Sequence, residues 1–352
     1  MEGTRLPAVN PYEDEKGRKY FFDNAKYILI TLVVLAHFIS PFKSDHNVVK
    51  AIWVVINTLH MPTLIFISGF FAKSYLKKPG VIKVQRPATY LILYLAAQLL
   101  FGVFEEIFKI EDVSLSVLSA RSSLWFLQCL VIWYILLPIL DKFDPKWVMI
   151  GAFVAGLLIG YDSKVGHLAS LSRVFAHLPF FMLGYYLKQE HIEKLFDKRV
   201  KITGAAVFVT ICIIALLISP DLSTRLITCS YKYMAIPGVR DLPFVLRWFP
   251  RALFYIAALL LGASLLAWVP RKKVFFTELG SRTLQVYILH RFPYMFELKY
   301  NLWKPFNNFF GIVFFMIIAV VAAYFLSHKV LAYPFDFLQG IKINKFLKKE
   351  KE

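Results

Sequence analysis

The chain has 352 residues, 58% of them hydrophobic and 17% aromatic, with a mean hydropathy of +0.57. A water-soluble protein of this length does not tolerate so apolar a composition, so lipid is the expected solvent for most of it. The formal charge of +18 would point to nucleic acid in a soluble protein, but the basic residues gather in short segments between apolar runs, which membrane topology explains and nucleic-acid binding does not.

A helical span needs about 17 to 25 mostly apolar residues. In chain order such runs fall at Ala25–Phe42, Val49–Phe71, Ala88–Phe108, Ser123–Leu140 and Lys146–Gly160, then Ser172–Leu187, Lys201–Ser219, Pro250–Trp268, Arg282–Leu298 and Phe309–Ser327. They predict an all-α polytopic membrane protein of about ten helices. The polar stretch before the first run ends in Arg18, Lys19 and Asp23, and no small-residue cleavage site follows, so that run is expected to stay as a span. Lys and Arg are about twice as frequent in one alternate set of connections, including those around Lys77, Lys78 and Lys83 and around Arg271, Lys272 and Lys273. By the positive-inside bias both termini are expected in the cytoplasm. The expected division is a cytoplasmic segment over 1–24, a transmembrane domain over 25–328 and a basic cytoplasmic tail over 329–352. The Lys-rich end Lys342–Glu352 reads as a solvated end near anionic lipid.

The longest connection, Pro220 to Phe249, is polar and aromatic with prolines at Pro237 and Pro243, and this topology places it outside. Loops of this length serve as binding loops or lids in some proteins and as plain surface in more. No repeat of fixed period and no matched broken helices are visible. Cys129, Cys212 and Cys229 have neither CxxC nor Cys/His spacing, so neither a disulfide nor a metal site is expected.

Titratable groups inside spans are costly and mark candidate sites. On the expected topology His37 lies about 18 Å from the cytoplasmic start of its span, His60 and His177 each about 16 Å, and His290 about 12 Å. A single intramembrane histidine is as often a core group bonded to a backbone carbonyl as a functional one. Four at one level favour a shared polar cavity. Lys26 and His37 share a helix face about 16 Å apart, which links the cytoplasmic mouth to mid-membrane. Asp23, three residues earlier, can pair with Lys26, although snorkelling alone would also explain that lysine. His60-Met61-Pro62 predicts a bend beside an imidazole. Arg86 before the third span reads equally as a topology anchor, Arg173 opens the sixth span on the outer side, and Trp125 with Phe126 fits an aromatic belt. Glu105 and Glu106, near the outer end of the third span, read as interfacially solvated. No GxSxG, Walker, HExxH, CxxCH or dinucleotide glycine pattern is present, which leaves the histidines as the strongest chemical lead.

Phe22-Asp23-Asn24-Ala25-Lys26, followed by Leu32-Val33-Val34-Leu35-Ala36-His37, resembles the first span of the membrane-bound acyltransferases of family three, especially the fucose 4-O-acetylase-like branch. In the family's order follow His60-Met61-Pro62 with Phe66-Ile67-Ser68-Gly69-Phe70-Phe71, Leu124-Trp125-Phe126-Leu127, Phe180 through Leu187, and Val286-Tyr287-Ile288-Leu289-His290. The resemblance implies a bacterial plasma-membrane enzyme that moves an acyl group, usually acetyl from cytoplasmic acetyl-CoA, to a hydroxyl of a glycan, polymer or lipid-linked acceptor. The family's signature arginine is Lys26 here, which keeps the charge and loses the bidentate fork. Arg86 is similar to the family arginine before the third span. It is expected with Lys26 to bind the coenzyme, with no extra soluble domain after the tenth helix.

Acyl transfer to an alcohol needs a base for the hydroxyl proton and stabilisation of the thioester oxyanion. His37 is the expected base, His290 the alternate base, acyl relay or oxyanion donor, and Asp23 a third catalytic candidate. His60, Trp125, Arg173, His177 and Tyr287 are expected at the acceptor. An acyl-histidine relay and direct transfer both remain compatible. The rival reading is a secondary transporter or flippase, which would release its substrate unaltered. Acyl-CoA, a hydroxyl-bearing acceptor and membrane lipid are the expected partners.

Overall fold

A computed structural model describes residues 19–76, 84–110, 116–162 and 170–343, together with 12, 13 and 17. Most of the expected segment 1–24, the basic group Lys77, Lys78 and Lys83, and the tail beyond 343 lie outside the described residues. The helices are α1 (Tyr20–Phe38), α2 (Asn47–Leu76), α3 (Gln85–Ile107), α4 (Trp125–Leu140), α5 (Pro145–Leu158), α6 (Leu171–Tyr186) and α7 (Gln189–Lys194). There follow α8 (Lys198–Ile218), α9 (Thr224–Thr228), α10 (Phe249–Trp268), α11 (Thr283–Leu289), α12 (Arg291–Tyr300), α13 (Phe309–Leu326) and α14 (Tyr333–Gly340). Among the described residues there is no strand, only an isolated bridge between Glu13 and Lys19.

Among the described residues six helices are long and apolar enough to cross a membrane: α1, α2, α3, α8, α13 and the run Phe244–Trp268 that contains α10. Two shorter apolar helices, Trp125–Leu140 and Pro145–Tyr161, stand beside them. Local chemistry sets several starts. Asp144 accepts from the Lys146 amide at 2.8 Å with Pro145 in the first turn, Asp197 accepts from Arg199 at 2.7 Å, and Asn308 accepts from Gly311 at 2.9 Å.

The long α2 is central, packed on α1, α6, α8 and α10. Its contact with α6 is close because each helix offers a glycine: a Cβ at Gly69 would overlap the Phe181 carbonyl oxygen, and one at Gly184 the Phe66 carbonyl oxygen. Small residues of this kind let transmembrane backbones touch. The start of α1 is held as tightly. Buried Asn24 donates to the carbonyls of Pro270 at 2.8 Å and Lys272 at 3.0 Å and accepts from Thr277 at 2.7 Å, while Gly280 abuts the Asp23 carbonyl.

These ties sort the helix termini to two ends of the bundle. The start of α1, the ends of α2, α6 and α10, and the start of α3 share one end, with the chain after α14 held there by Gln85 bonded to Ile341 and Ile343. The other end holds the turn 40–46, the start of α13 through Asn307 bonded to Asp45 and His46, and Pro220 bonded to Lys50.

The structure revises two expectations. The run Arg282–Leu298 is broken: α11 ends at Leu289, His290 is a hinge and α12 begins at Arg291, because Pro293 supplies no N–H to the Leu289 carbonyl. Glu105 is not interfacially solvated but 4% exposed and ion-paired with Arg121. The connection after α8 has its own core of Leu226, Tyr233, Ile236 and Val239 and seats Tyr233 on Gly160. Beyond α13, α14 docks on the start of α3.

Candidate active site

The first-span histidine meets the broken helix. The rings of His37 and His290 lie 5.0 Å apart at 40°, and Tyr294, one turn into α12, lies 5.0 Å from His37 on another side. His290 has no exposed surface, and its Nδ1 is 2.9 Å from the Val286 carbonyl. A carbonyl can only accept, so Nδ1 carries the proton and Nε2 keeps a lone pair, which has no partner within the protein. The same logic applies to His60, whose Nδ1 lies 2.5 Å from the Ile56 carbonyl. Thr63 likewise donates to the Leu59 carbonyl at 2.7 Å, so both side chains bond the carbonyl four residues back along the helix that carries Pro62. His60 lies within Coulombic reach of His37, His290 and His177, so the four imidazoles converge around it. Of the four, His37 alone is partly rather than fully buried.

A second group adjoins the first. His177 stacks on Trp125 at 5.4 Å and 24°, and the Arg173 guanidinium lies 5.0 Å over the same indole. Trp125 contacts Phe126, Phe126 meets Tyr287 edge-on at 5.6 Å, and Tyr287 lies 6.4 Å from His290. The Tyr287 hydroxyl donates to the Ser123 carbonyl. A continuous series of rings thus runs from His177 to His37, and it includes Trp125, His177 and Tyr287 with Arg173 set on Trp125, while His60 makes no ring contact with it among the described residues.

The remaining candidates sit apart. Lys26 and Asp23 form the ion pair that their three-residue spacing predicts, at 2.8 Å, with the Lys26 ammonium over Phe71 at 5.7 Å. They line a cleft of about 460 Å³ with Lys19, Phe22, Phe70 and Gln189. Arg86 is not among its walls. It bonds the Tyr134 hydroxyl at 3.3 Å and Ser74 at 3.2 Å, so it flanks the last turns of α2 near Phe71. Asp23 is about 21 Å along α1 from His37 and is not brought to the imidazoles. It neutralises Lys26, and its placement removes it from the catalytic group. Among the described residues no group of three His, Cys, Asp or Glu side chains suits a metal ion, and all three cysteines are free.

Sequence reasoning missed Asn24, Tyr294, Arg251 and Glu297. Arg251 and Glu297 are buried, with side-chain atoms lacking any hydrogen-bond partner. A signal was present for the site as a whole: His60 and His177 each precede a proline by two residues, and His290 precedes Pro293 by three. Each imidazole therefore stands where a helix loses a backbone bond.

Comparison with curated proteins and with solved structures finds no match. The family model described as an acyltransferase domain, that of acyltransferase family 3, matches residues 19–328, from the start of α1 past the end of α13 and across every site residue above. The chain therefore belongs to acyltransferase family 3.

Proposed function

We propose that the chain is a membrane O-acyltransferase, in the first instance an O-acetyltransferase of the fucose 4-O-acetylase-like kind, carrying an acyl group from cytoplasmic acyl-CoA to a hydroxyl of a cell-surface carbohydrate, polymer or lipid-linked glycan. The observation that carries this reading is the partly buried His37 set against His290, whose proton-free nitrogen faces no protein partner. The end bearing Lys26 and Lys73 is the cytoplasmic one, by the excess of basic residues there, and the membrane is the plasma membrane of a bacterium.

Lys26 and Arg86 hold the phosphates of the donor at that end, Lys26 as a point charge and Arg86 as a fork. His37 accepts the proton of the acceptor hydroxyl as its oxygen attacks the thioester carbonyl carbon. When the tetrahedral species collapses the carbon–sulfur bond breaks, and the thiolate leaving group takes the proton back from His37. His290 orients His37 and is the second base candidate. His60, Trp125, Arg173, His177 and Tyr287 position the acceptor from the opposite end.

The test is transfer of radiolabel from acetyl-CoA to envelope material in membranes holding the wild type or His37→Ala at matched protein levels. Label with the wild type and a loss of about 10²- to 10⁴-fold in the variant supports the reading. Equal label from both removes His37 from the chemistry. No label with acetyl-, longer acyl- or succinyl-CoA overturns the acyl-CoA assignment.

A further inference from the structure

At the end of the bundle away from Lys26, two arginines and a histidine gather, Arg251 and His177 buried and Arg173 half-buried, with no carboxylate paired to either arginine among the described residues. Arg251, in the first turn of α10, has no exposed surface. Its Nη1 donates to the Gly156 carbonyl at 3.2 Å, and its guanidinium lies 4.7 Å over the Tyr233 ring. Its Nε and Nη2 have no hydrogen-bond partner. Arg173 donates through Nε to the Thr228 carbonyl at 3.2 Å, and its guanidinium lies 5.0 Å over the Trp125 ring. His177, 3% exposed with Nδ1 unpartnered, lies within Coulombic reach of both arginines.

A guanidinium cannot shed its proton, so a buried one is neutralised by a partner or remains a cost to the fold. The faces of Tyr233 and Trp125 offset only part of that cost. Among the described residues no salt bridge reaches Arg173 or Arg251. Nε and Nη2 are the two donors along one edge of the guanidinium, the edge that meets two oxygens of a carboxylate or phosphate side by side. The built feature is an anion fork with its anion missing from the chain.

We infer that Arg251, Arg173 and His177 bind an anionic oxygen group, phosphate or carboxylate, carried by the molecule that receives the acyl group. The acceptor assignment rests on the proposed function; the anion site itself does not. From His177 the ring series through Trp125, Phe126 and Tyr287 leads to His290 and His37, so an acceptor gripped by its acidic group has its neutral part directed toward the reacting imidazole.

The experiment uses the full chain in phosphatidylcholine nanodiscs without acetyl-CoA. Melting temperature is followed with glucuronate, glucose 1-phosphate or glucose, for the wild type, Arg251→Gln and Arg173→Gln. The wild type gains roughly 2 to 4 °C with at least one of the two acids and none with glucose. Both variants lose that gain, and Arg251→Gln melts no lower than the wild type in the absence of acid, because it removes an unpaired buried charge. Absence of any gain in the wild type overturns the inference, as does an equal gain in both variants. Replacing phosphatidylcholine by phosphatidylglycerol distinguishes the source: an Arg251-dependent stabilisation by that lipid, with the response to both sugars abolished, assigns the anion to a headgroup and overturns the acceptor assignment. If acid binding depends on Arg251 while no acyl transfer is found with any donor, the enzyme reading fails and the anion site stands.

Discussion

The two ends of the bundle hold positive charge in opposite ways. At one end Lys26 is 24% exposed, paired with Asp23 at 2.8 Å and set on the wall of an open cleft, and Lys273 pairs with Glu278 in solvent. At the other end Arg251 is wholly buried, with two N–H groups unanswered, and half-buried Arg173 has no salt bridge among the described residues. Hydrated, half-neutralised cations suit the donor mouth proposed for that end, since little desolvation is at stake in either direction. Dry, uncompensated cations suit recognition, because an anion that reaches them meets a charge no water screens. The histidines lie between the two, where donor and acceptor would meet.

The largest expected effect removes the meeting point. His37→Gln lowers acyl transfer by about 10²- to 10⁴-fold with melting temperature little changed, since the ring is not part of the closed core. Both variants, His37→Gln and His37→Ala, leave the response of the opposite end to sugar acids intact. If that response disappears as well, the two ends are not separable and the comparison is broken.

Next in size is a contrast within the dry end. Glu105, 4% exposed, is already paired with Arg121, so this charge pair is complete within the chain. Arg121→Ala strands the carboxylate and is expected to destabilise by about 3–5 kcal/mol in chemical or thermal unfolding, and Arg121→Met with Glu105→Leu to recover most of the loss. Arg251→Gln, by contrast, strands nothing. Equal losses for Arg121→Ala and Arg251→Gln would mean that Arg251 has a structural counter-charge, and the distinction between a finished and an unfinished pair would collapse.

How far the sequence foretold this follows from the reach of each interaction. The Asp23–Lys26 pair is local, and spacing alone predicted it. The apolar runs located the helices because a membrane span is a statement about composition over about twenty residues. The hinge at His290 was missed because Pro293 lies within an otherwise apolar-aromatic run, and composition does not register one lost backbone bond. Glu105 was misread because its partner, Arg121, lies across a connection, and the charge of a residue near a span end says nothing of which side of the helix it faces. Arg251 and Asn24 were invisible for the same reason at longer range: Arg251 bonds Gly156, and Asn24 bonds Pro270 and Lys272 near the opposite end of the chain. Gly69 and Gly184 were within the quoted motifs, but only the packed helices explain why a side chain at either position is excluded.

A smaller effect is expected at the wet mouth. Lys26→Ala should raise the KM for acetyl-CoA about tenfold, the scale of one charged hydrogen bond, with a lesser change in kcat, because the group binds donor and transition state alike. Lys26→Arg should restore KM, since the position tolerates either cation. A fall in kcat with KM unchanged would instead place Lys26 in the chemistry and contradict its separation from His37 along α1.

The smallest effect belongs to the exposed pair. The Glu278 carboxyl is lowered from its ordinary value by its hydrogen bond to Lys273 and then by that charge, and Lys273 is raised by the same bond and charge. The signs are opposite and both favour the folded state at neutral pH. The glutamate's contribution is present above the usual carboxylate range and fades as pH falls through its lowered value. The lysine's is present below the usual lysine value and fades as pH rises through its raised one. Both groups are fully in water, where salt screens them, so Lys273→Ala is expected to leave the melting temperature unchanged at 0.15 M salt. A loss of several degrees at neutral pH, vanishing at high salt, would show that solvated charge holds this end together, and the opposition between a wet mouth and a dry recognition site would then rest on burial alone.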